Sequence, residues 1–367
     1  MITSITLANF KSFGEEQTIP LQPMTVLVGP NNAGKSNLVS VGRFIRNAQA
    51  ANVGTAIAAE GGEDFVFHRP RRKDARLRLA WTATDGDYSL VVGRPRPSEA
   101  AVEEVLTHAL SKLKWSRTHG SLMETALLTA QHAHNLGPED PREVAMFGRC
   151  HGVWAPMVRS RDVKLSLPSL RADAELVPAP RMAADGSNLA AVLDLWRGSD
   201  PDRAERLHDF LRLCFPEIKH ALVKPAPTPG YQRLWVQQID GEQFDAEHLS
   251  EGVLCFIALA MHAIDAEPGS LLFVEEPEQS IHPRRLGDLV ELFRRVIHER
   301  KCQVVLATHS PVLLDAFRDE PEAILLMRRG DEGTRVKPLN ELPVLLDALR
   351  AAGPGEMLAN GFFNEPF

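Results

Sequence analysis

The 367-residue chain is 44% hydrophobic, enough for one large α/β domain or two or three average ones, and so reads as globular and not disordered. Forty-one lysines and arginines against 48 aspartates and glutamates leave a net charge of −7, which excludes an overall positive field and leaves any DNA contact to a local patch. Cys150, Cys214, Cys255 and Cys302 stand too far apart for a zinc ribbon or a disulfide framework, and neither a signal segment nor an apolar run of roughly 18 residues is present, so buried thiols, a cytoplasmic location and no membrane contact are expected.

In chain order, the apolar run Val26–Val28 predicts a strand that enters Gly29-Pro30-Asn31-Asn32-Ala33-Gly34-Lys35-Ser36-Asn37. A helix-compatible stretch with Leu38, Val41, Phe44 and Ile45 follows. Strand, glycine loop and helix in this order make a nucleotide cradle. The glycines let backbone N–H groups close on phosphate oxygens, and the helix N-terminus adds positive dipole. Lys35 is then expected to reach the terminal phosphates and Ser36 to ligate magnesium. Four fixed positions would match by accident in roughly one chain of this length in a hundred.

From about Gln49 to Pro180 the pattern changes. "ARLRLAWTAT" and "YSLVV" alternate as strands around a turn at Asp85-Gly86-Asp87, and "SEAAVEEVLTHALSKLKW" predicts a capped amphipathic helix. The densest basic run, His68 to Arg78 with Arg71, Arg72 and Lys73, suits either a phosphate backbone or a strand edge guarded by charge. Arg94–Ser98 and Lys224–Gly230 read as surface turns, and His132 and His134 have no metal-ligand partners at convincing spacing. No heptad repeat persists long enough for a coiled-coil arm.

Leu249-Ser250-Glu251-Gly252 precedes a run, up to Ile264, too apolar all round for a surface helix. Its start is either a second anion site at Ser250 and Gly252 or simple N-capping by Ser250. Next, Ser270–Val274 predicts a buried strand that carries Glu275 and Glu276 to its carboxyl end, the edge where open α/β sheets bind ligands. There Glu275 is expected to hold the metal, through water, and Glu276 to orient or deprotonate the attacking water. The alternative is an acidic loop, with Glu278 and Gln279, capping a helix that begins near Pro283. Val304–Ala307 predicts a third strand ending in Thr308, His309 and Ser310, which puts His309 on the same edge, able to bond a γ-phosphate. After it, "AILLMRR" and "TRVKPL" suggest a hairpin and "ELPVLLDALRAAG" a short helix.

The order of these stretches resembles the ATP-binding-cassette (ABC) ATPases of the SMC and RecF-like branch, and among them the single-chain AAA-family or OLD-like ATPases of bacterial defence and repair systems. The likeness maps the P-loop to Gly29 through Ser36, the L-S-x-G signature to Leu249 through Gly252, the Walker B pair to Glu275 and Glu276, and the switch histidine to His309. The opening "ITSITLANFKSFGE", with its turn at Asn9 to Phe13, is also similar; "DGSNLAAVLDLW" and "FPEI" are similar less specifically. Two positions depart from the family: Glu275 stands where aspartate is usual, and Cys255 where an arginine often follows the signature. Gln49 and Gln131 are the candidates for the glutamine loop.

The resemblance implies an α/β P-loop NTPase of ABC ATPase head type, with an N-terminal antiparallel β subdomain and an α-helical insertion. Residues 1–50 would form the N-terminal part of the head, 51–180 an insertion of mixed strand and helix, 181–325 the C-terminal part, and 326–367 a closing hairpin and helix. It further implies an ATP- and Mg2+-dependent ATPase that forms a head-to-tail homodimer on ATP binding, with Ser250 of one copy over the γ-phosphate held by Lys35 of the other. Such a dimer would act as a molecular switch in DNA repair or anti-phage defence, with DNA as a possible partner. Because little chain remains after His309, a separate effector such as a nuclease is expected. The alternative is the nucleotide-binding subunit of a membrane transporter; a P-loop kinase or GTPase needs neither Ser250 nor His309.

Overall fold

The structure, a computed structural model, describes residues 1–69, 76–93, 102–109, 113–119, 148–178 and 180–364. The basic residues Arg71, Arg72 and Lys73, the turn Arg94–Ser98, and Gln131, His132 and His134 lie outside them. Along the described chain the strands are β1 Ile2–Ala8, β2 Gln17–Pro20, β3 Met24–Val28, β4 Leu77–Ala83, β5 Gly86–Val92, β6 Val102–His108, β7 Leu113–His119 and β8 Arg161–Val163. They continue with β9 Ala174–Glu175, β10 Ile218–Pro225, β11 Tyr231–Gln238, β12 Gln243–Asp245, β13 Leu271–Glu275, β14 Gln303–Ala307, β15 Ile324–Gly330 and β16 Gly333–Pro338.

Three sheets result. The central one has the order β16-β15-β3-β14-β13-β8, parallel except for the β15–β16 hairpin expected from the sequence. All five residues of β3 and all five of β14 are buried, as befits strands covered on both faces. An antiparallel sheet, β2-β1-β4-β5-β6-β7, lies to one side, and a smaller one joins β10, β11 and β12 with β9.

The central sheet separates two cores. Leu27, Leu271, Phe273, Val305 and Ala307 pack with the helix Lys35–Ala50 and with Ile5, Leu7 and Trp81 of the antiparallel sheet. Their strand neighbours Val26, Val28, Leu272, Val274, Val304 and Leu306 pack on the other face, beside the helices Leu189–Ser199, Pro201–Cys214, Glu251–Ile264 and Pro283–Arg300. Side-chain alternation along a strand thus assigns the two helices whose N-termini matter, at Lys35 and Glu251, to opposite faces. On the first of them Leu38, Val39, Val41, Phe44 and Ile45 are fully or almost fully buried. At about 1.5–3 kcal/mol for each large apolar side chain, that burial far outweighs the roughly 1 kcal/mol that an N-terminal cap would add.

Where the stretch 98–115 is described, the expected amphipathic helix gives way to strands: β6 and β7 pair antiparallel on the edge of the antiparallel sheet. Its Ala, Glu and Leu content favours a helix locally, but pairing of Val102–Leu106 with β5 overrides propensity. Glu104 points inward and accepts a short hydrogen bond from the buried Tyr88 hydroxyl, a partner outside any local pattern. All four cysteines are free and buried. Among the described residues, no helix is long and apolar enough to cross a membrane.

Candidate nucleotide site

β3 delivers the chain to Gly29, and the helix at Lys35 begins after Gly34, whose φ of 102° lies in the left-handed region. A Cβ at Gly34 would stand 2.4 Å from Thr334 Oγ1 and 2.6 Å from Ser12 Oγ, and one at Gly29 2.1 Å from the Met327 carbonyl oxygen. Only glycine fits either place. No side chain caps this helix, so its first N–H groups stay open to an anion. Pro30, Asn31, Asn32 and Ser36 are exposed along the rim, while Ala33 and Gly34 are buried under it.

The loop is braced from behind. Thr334 Oγ1 donates to Ala33 O at 2.9 Å and pairs with Ser12 Oγ at 2.8 Å, and Asn37 Nδ2 donates to Ser12 Oγ at 2.7 Å. The side chain of Asn37 is therefore turned to the N-terminal turn and holds the cradle in place. Lys35 is buried and donates from Nζ to the carbonyls of Gly29 (2.8 Å) and Pro30 (3.2 Å). Burial pushes its ammonium down to about 8, against the pull of Glu276, Glu278 and Glu275.

β13 and β14 bring the other residues to that rim, with Glu275 in register with Ala307. Ser36 Oγ donates to Glu275 Oε2 at 2.6 Å, joining two motifs 239 residues apart. The pair suits magnesium. Both donors are hard oxygens, the ligand type that Mg2+ prefers. Among the described residues no three His, Cys, Asp or Glu side chains form a metal cage. A site of one hydroxyl and one carboxylate relies on phosphate and water for its other ligands. The extra methylene of Glu275, compared with aspartate, does not prevent the contact.

Glu276 is exposed, its N–H donates to Ala307 O at 2.8 Å, and its φ of 48° is left-handed for a non-glycine residue, a strain of about 1–2 kcal/mol. Glu278 accepts the backbone N–H of His309 at 2.7 Å on Oε1, while Oε2 is buried without a hydrogen-bond partner. The helix Pro283–Arg300 is instead capped by the His282 ring, which accepts from Arg284 N at 3.2 Å. The acidic loop thus lies on the rim beside His309 and does not cap that helix. Burial, then the nearby Lys35 ammonium, hold the His309 imidazole below its ordinary range, with Glu276 and Glu278 pulling the other way. Lys35, Ser36, Glu275, Glu276 and His309 therefore share one rim.

Ser250 does not join them. It is exposed and caps its own helix, accepting from Val253 N at 3.4 Å, and among the described residues no hydrogen bond links it to the loop at Lys35. Glu251 accepts from Ser280 Oγ at 3.2 Å, and a Cβ at Gly252 would come within 2.9 Å of the Ser280 carbonyl oxygen. The helix behind is buried from Leu254 to Ile264, as its composition requires.

Known proteins place this geometry. Residues 1–77 match the family described as AAA ATPase domain, and residues 177–315 the family described as AAA domain, putative AbiEii toxin, Type IV TA system. An OLD nuclease from Thermus scotoductus is 22% identical over 90% of this chain and 63% of its own length. The chromosome partition protein Smc of Bordetella petrii is 32% identical over 29% of this chain and 9% of its own length. This chain thus spans less than two thirds of either relative. The SMC head bound to the C-winged helix domain of ScpA superposes with a TM-score of 0.56 at 13% identity, over 93% of this chain and 99% of that one. The Smc head derived from Pyrococcus furiosus, bound to the C-terminal domain of ScpA, gives 0.50 at 13% identity, over 95% and 99%.

Together these likenesses support an SMC/RecF-like ABC ATPase with an OLD-like relationship. Its fold is the ABC ATPase head, with an N-terminal antiparallel β subdomain. In this ABC ATPase head Gln49 is buried in the last turn of the helix begun by Lys35, about 21 Å along the axis from it, and so does not reach the rim. Gln131 lies outside the described residues. Sequence reasoning also overlooked Ser12 and Thr334 as the brace, Glu278 as the tie to the switch loop, and Lys164 beside Glu275. Of these, Ser12 had a signal, as the serine of the N-F-K-S-F turn.

Proposed function

We propose that two copies of this chain close head to tail around two ATP molecules, hydrolyse them, and act as a cytoplasmic molecular switch in DNA repair or anti-phage defence that controls a separate effector such as a nuclease. The observation that carries the reading is the Ser36–Glu275 hydrogen bond of 2.6 Å, because it unites the P-loop and the Walker B strand at the mouth of an uncapped helix. Lys35 would leave its loop carbonyls for the terminal phosphates, while the open N–H groups of the loop receive the others. Ser36 and Glu275 are the residues that would hold magnesium, which when bound draws charge from the phosphate oxygens. Glu276, exposed on the same rim, orients and deprotonates the attacking water, and His309 bonds the γ-phosphate and registers its presence. The exposed Ser250, with no site residue of its own chain bonded to it, suits a γ-phosphate presented by a second copy. The OLD nuclease relative and the toxin-system family support the defence setting.

Mixing variants tests the shared site. Ser250→Arg is expected to bind ATP normally yet remain monomeric and inactive, and Lys35→Ala to lose ATP binding. Together they are expected to recover part of the turnover, because a heterodimer pairs one intact P-loop with one intact signature. A Ser250→Arg monomer with full turnover overturns the shared site.

A further inference from the structure

Lys164 follows the last residue of β8, and β8 is the parallel neighbour of β13, with Val163 in register with Val274. The next residue on each strand therefore faces the other across the carboxyl edge. Lys164 Nζ stands 3.6 Å from Glu275 Oε2, the same oxygen that accepts the Ser36 hydroxyl. Among the described residues it is the one cation within 4 Å of any of the three carboxylates Glu275, Glu276 and Glu278. Its backbone is fixed, because Lys164 N donates to Ala184 O at 2.9 Å, and Ser166 N donates to Asp185 O at 3.2 Å just beyond it. Its side chain is not: it is 73% exposed, against 12% for Glu275.

We propose that Lys164 is a tethered counter-cation for the metal-site carboxylate, one that holds Glu275 while the site is empty and so disfavours free divalent metal until nucleotide arrives. A metal ion on Glu275 Oε2 and an ammonium 3.6 Å from that oxygen repel one another. Nucleotide phosphates add both ligands and negative charge, and they offer the ammonium a stronger anion on the same rim, so the four-carbon stem can swing from one to the other. The inference rests on the reading of Glu275 as a metal ligand.

Mn2+ binding to the full chain, followed by electron paramagnetic resonance, tests it with and without a non-hydrolysable ATP analogue. Without nucleotide, Lys164→Met is expected to bind Mn2+ about fivefold more tightly than the unaltered chain, and Lys164→Arg like the unaltered chain. With the analogue present, the Lys164→Met difference is expected to narrow to within about twofold. Unchanged nucleotide-free Mn2+ affinity in Lys164→Met, with Glu275→Gln still weakening Mn2+ in the nucleotide complex, overturns the role of Lys164 and leaves that of Glu275 intact. If Glu275→Gln leaves Mn2+ binding in the nucleotide complex unaltered, Glu275 itself is no ligand and both readings fall.

Discussion

Two helix N-termini of this molecule invite an anion, and they are built differently. The one at Lys35 has no capping side chain, is braced by Ser12 and Thr334, and is ringed by Glu275, Glu276 and His309 from other strands. The one at Glu251 satisfies itself through Ser250, is exposed, and meets the Ser280 segment and Arg171 of its own chain. The first holds reactive groups with opposed demands; the second offers a surface and waits.

The largest expected effect falls on the Lys35 side alone. Lys35→Ala is expected to weaken ATP binding by at least about a hundredfold in calorimetric titration, while Ser250→Arg binds ATP within about twofold of the unaltered chain. Equal losses in the two would erase the distinction between the termini.

Glu276→Gln sharpens it. Hydrolysis is expected to fall about a hundredfold with ATP binding retained, and light scattering with ATP, but not with ADP, should report a shift toward dimer. If Glu275→Gln gives that phenotype and Glu276→Gln loses the metal, the two acids exchange roles.

A smaller effect comes from pH. With Lys35 at about 8 in the empty site, its protonated fraction falls above that pH, whereas phosphate favours the charged form, so binding must take up a proton. ATP affinity is expected to be nearly flat below pH 8 and to fall by up to about tenfold per unit above it. A flat profile from pH 7 to 9.5 would show that Lys35 stays charged without nucleotide.

The smallest effects compare two glycines by thermal melting. Gly34→Ala forces a Cβ onto Thr334 Oγ1 at a left-handed φ and should cost about 2–3 kcal/mol. Gly252→Ala gains helix propensity of about 1 kcal/mol against a 2.9 Å contact with the Ser280 carbonyl, so its stability should change by less than about 1 kcal/mol. A larger loss at Gly252 than at Gly34 would reverse which terminus is the tighter structure.

Much of the rim was legible because its residues sit at strand ends. Apolar runs such as Val304–Ala307 mark buried parallel strands, and whatever follows them lands on the carboxyl edge. What stayed hidden depends on partners far away in sequence. Glu104 turns inward because Tyr88 meets it, and Glu278 shows its use only once His309 lies beside it. Lys164 looked like any surface lysine, since the short strand before it has three residues and no pattern of its own. The stretch 98–115 misled for the converse reason: its local preference is real and its neighbours overrule it.

The Thr334 brace has a consequence in time. The hydroxyl that bonds Ala33 and Ser12 lies 301 and 322 residues beyond them in the chain. At about 5–20 residues per second, a ribosome needs roughly 15–60 s to travel from one to the other. During that interval the nascent chain carries a phosphate-binding loop without its support, so competence for nucleotide waits for the brace and does not come with the loop's own motif.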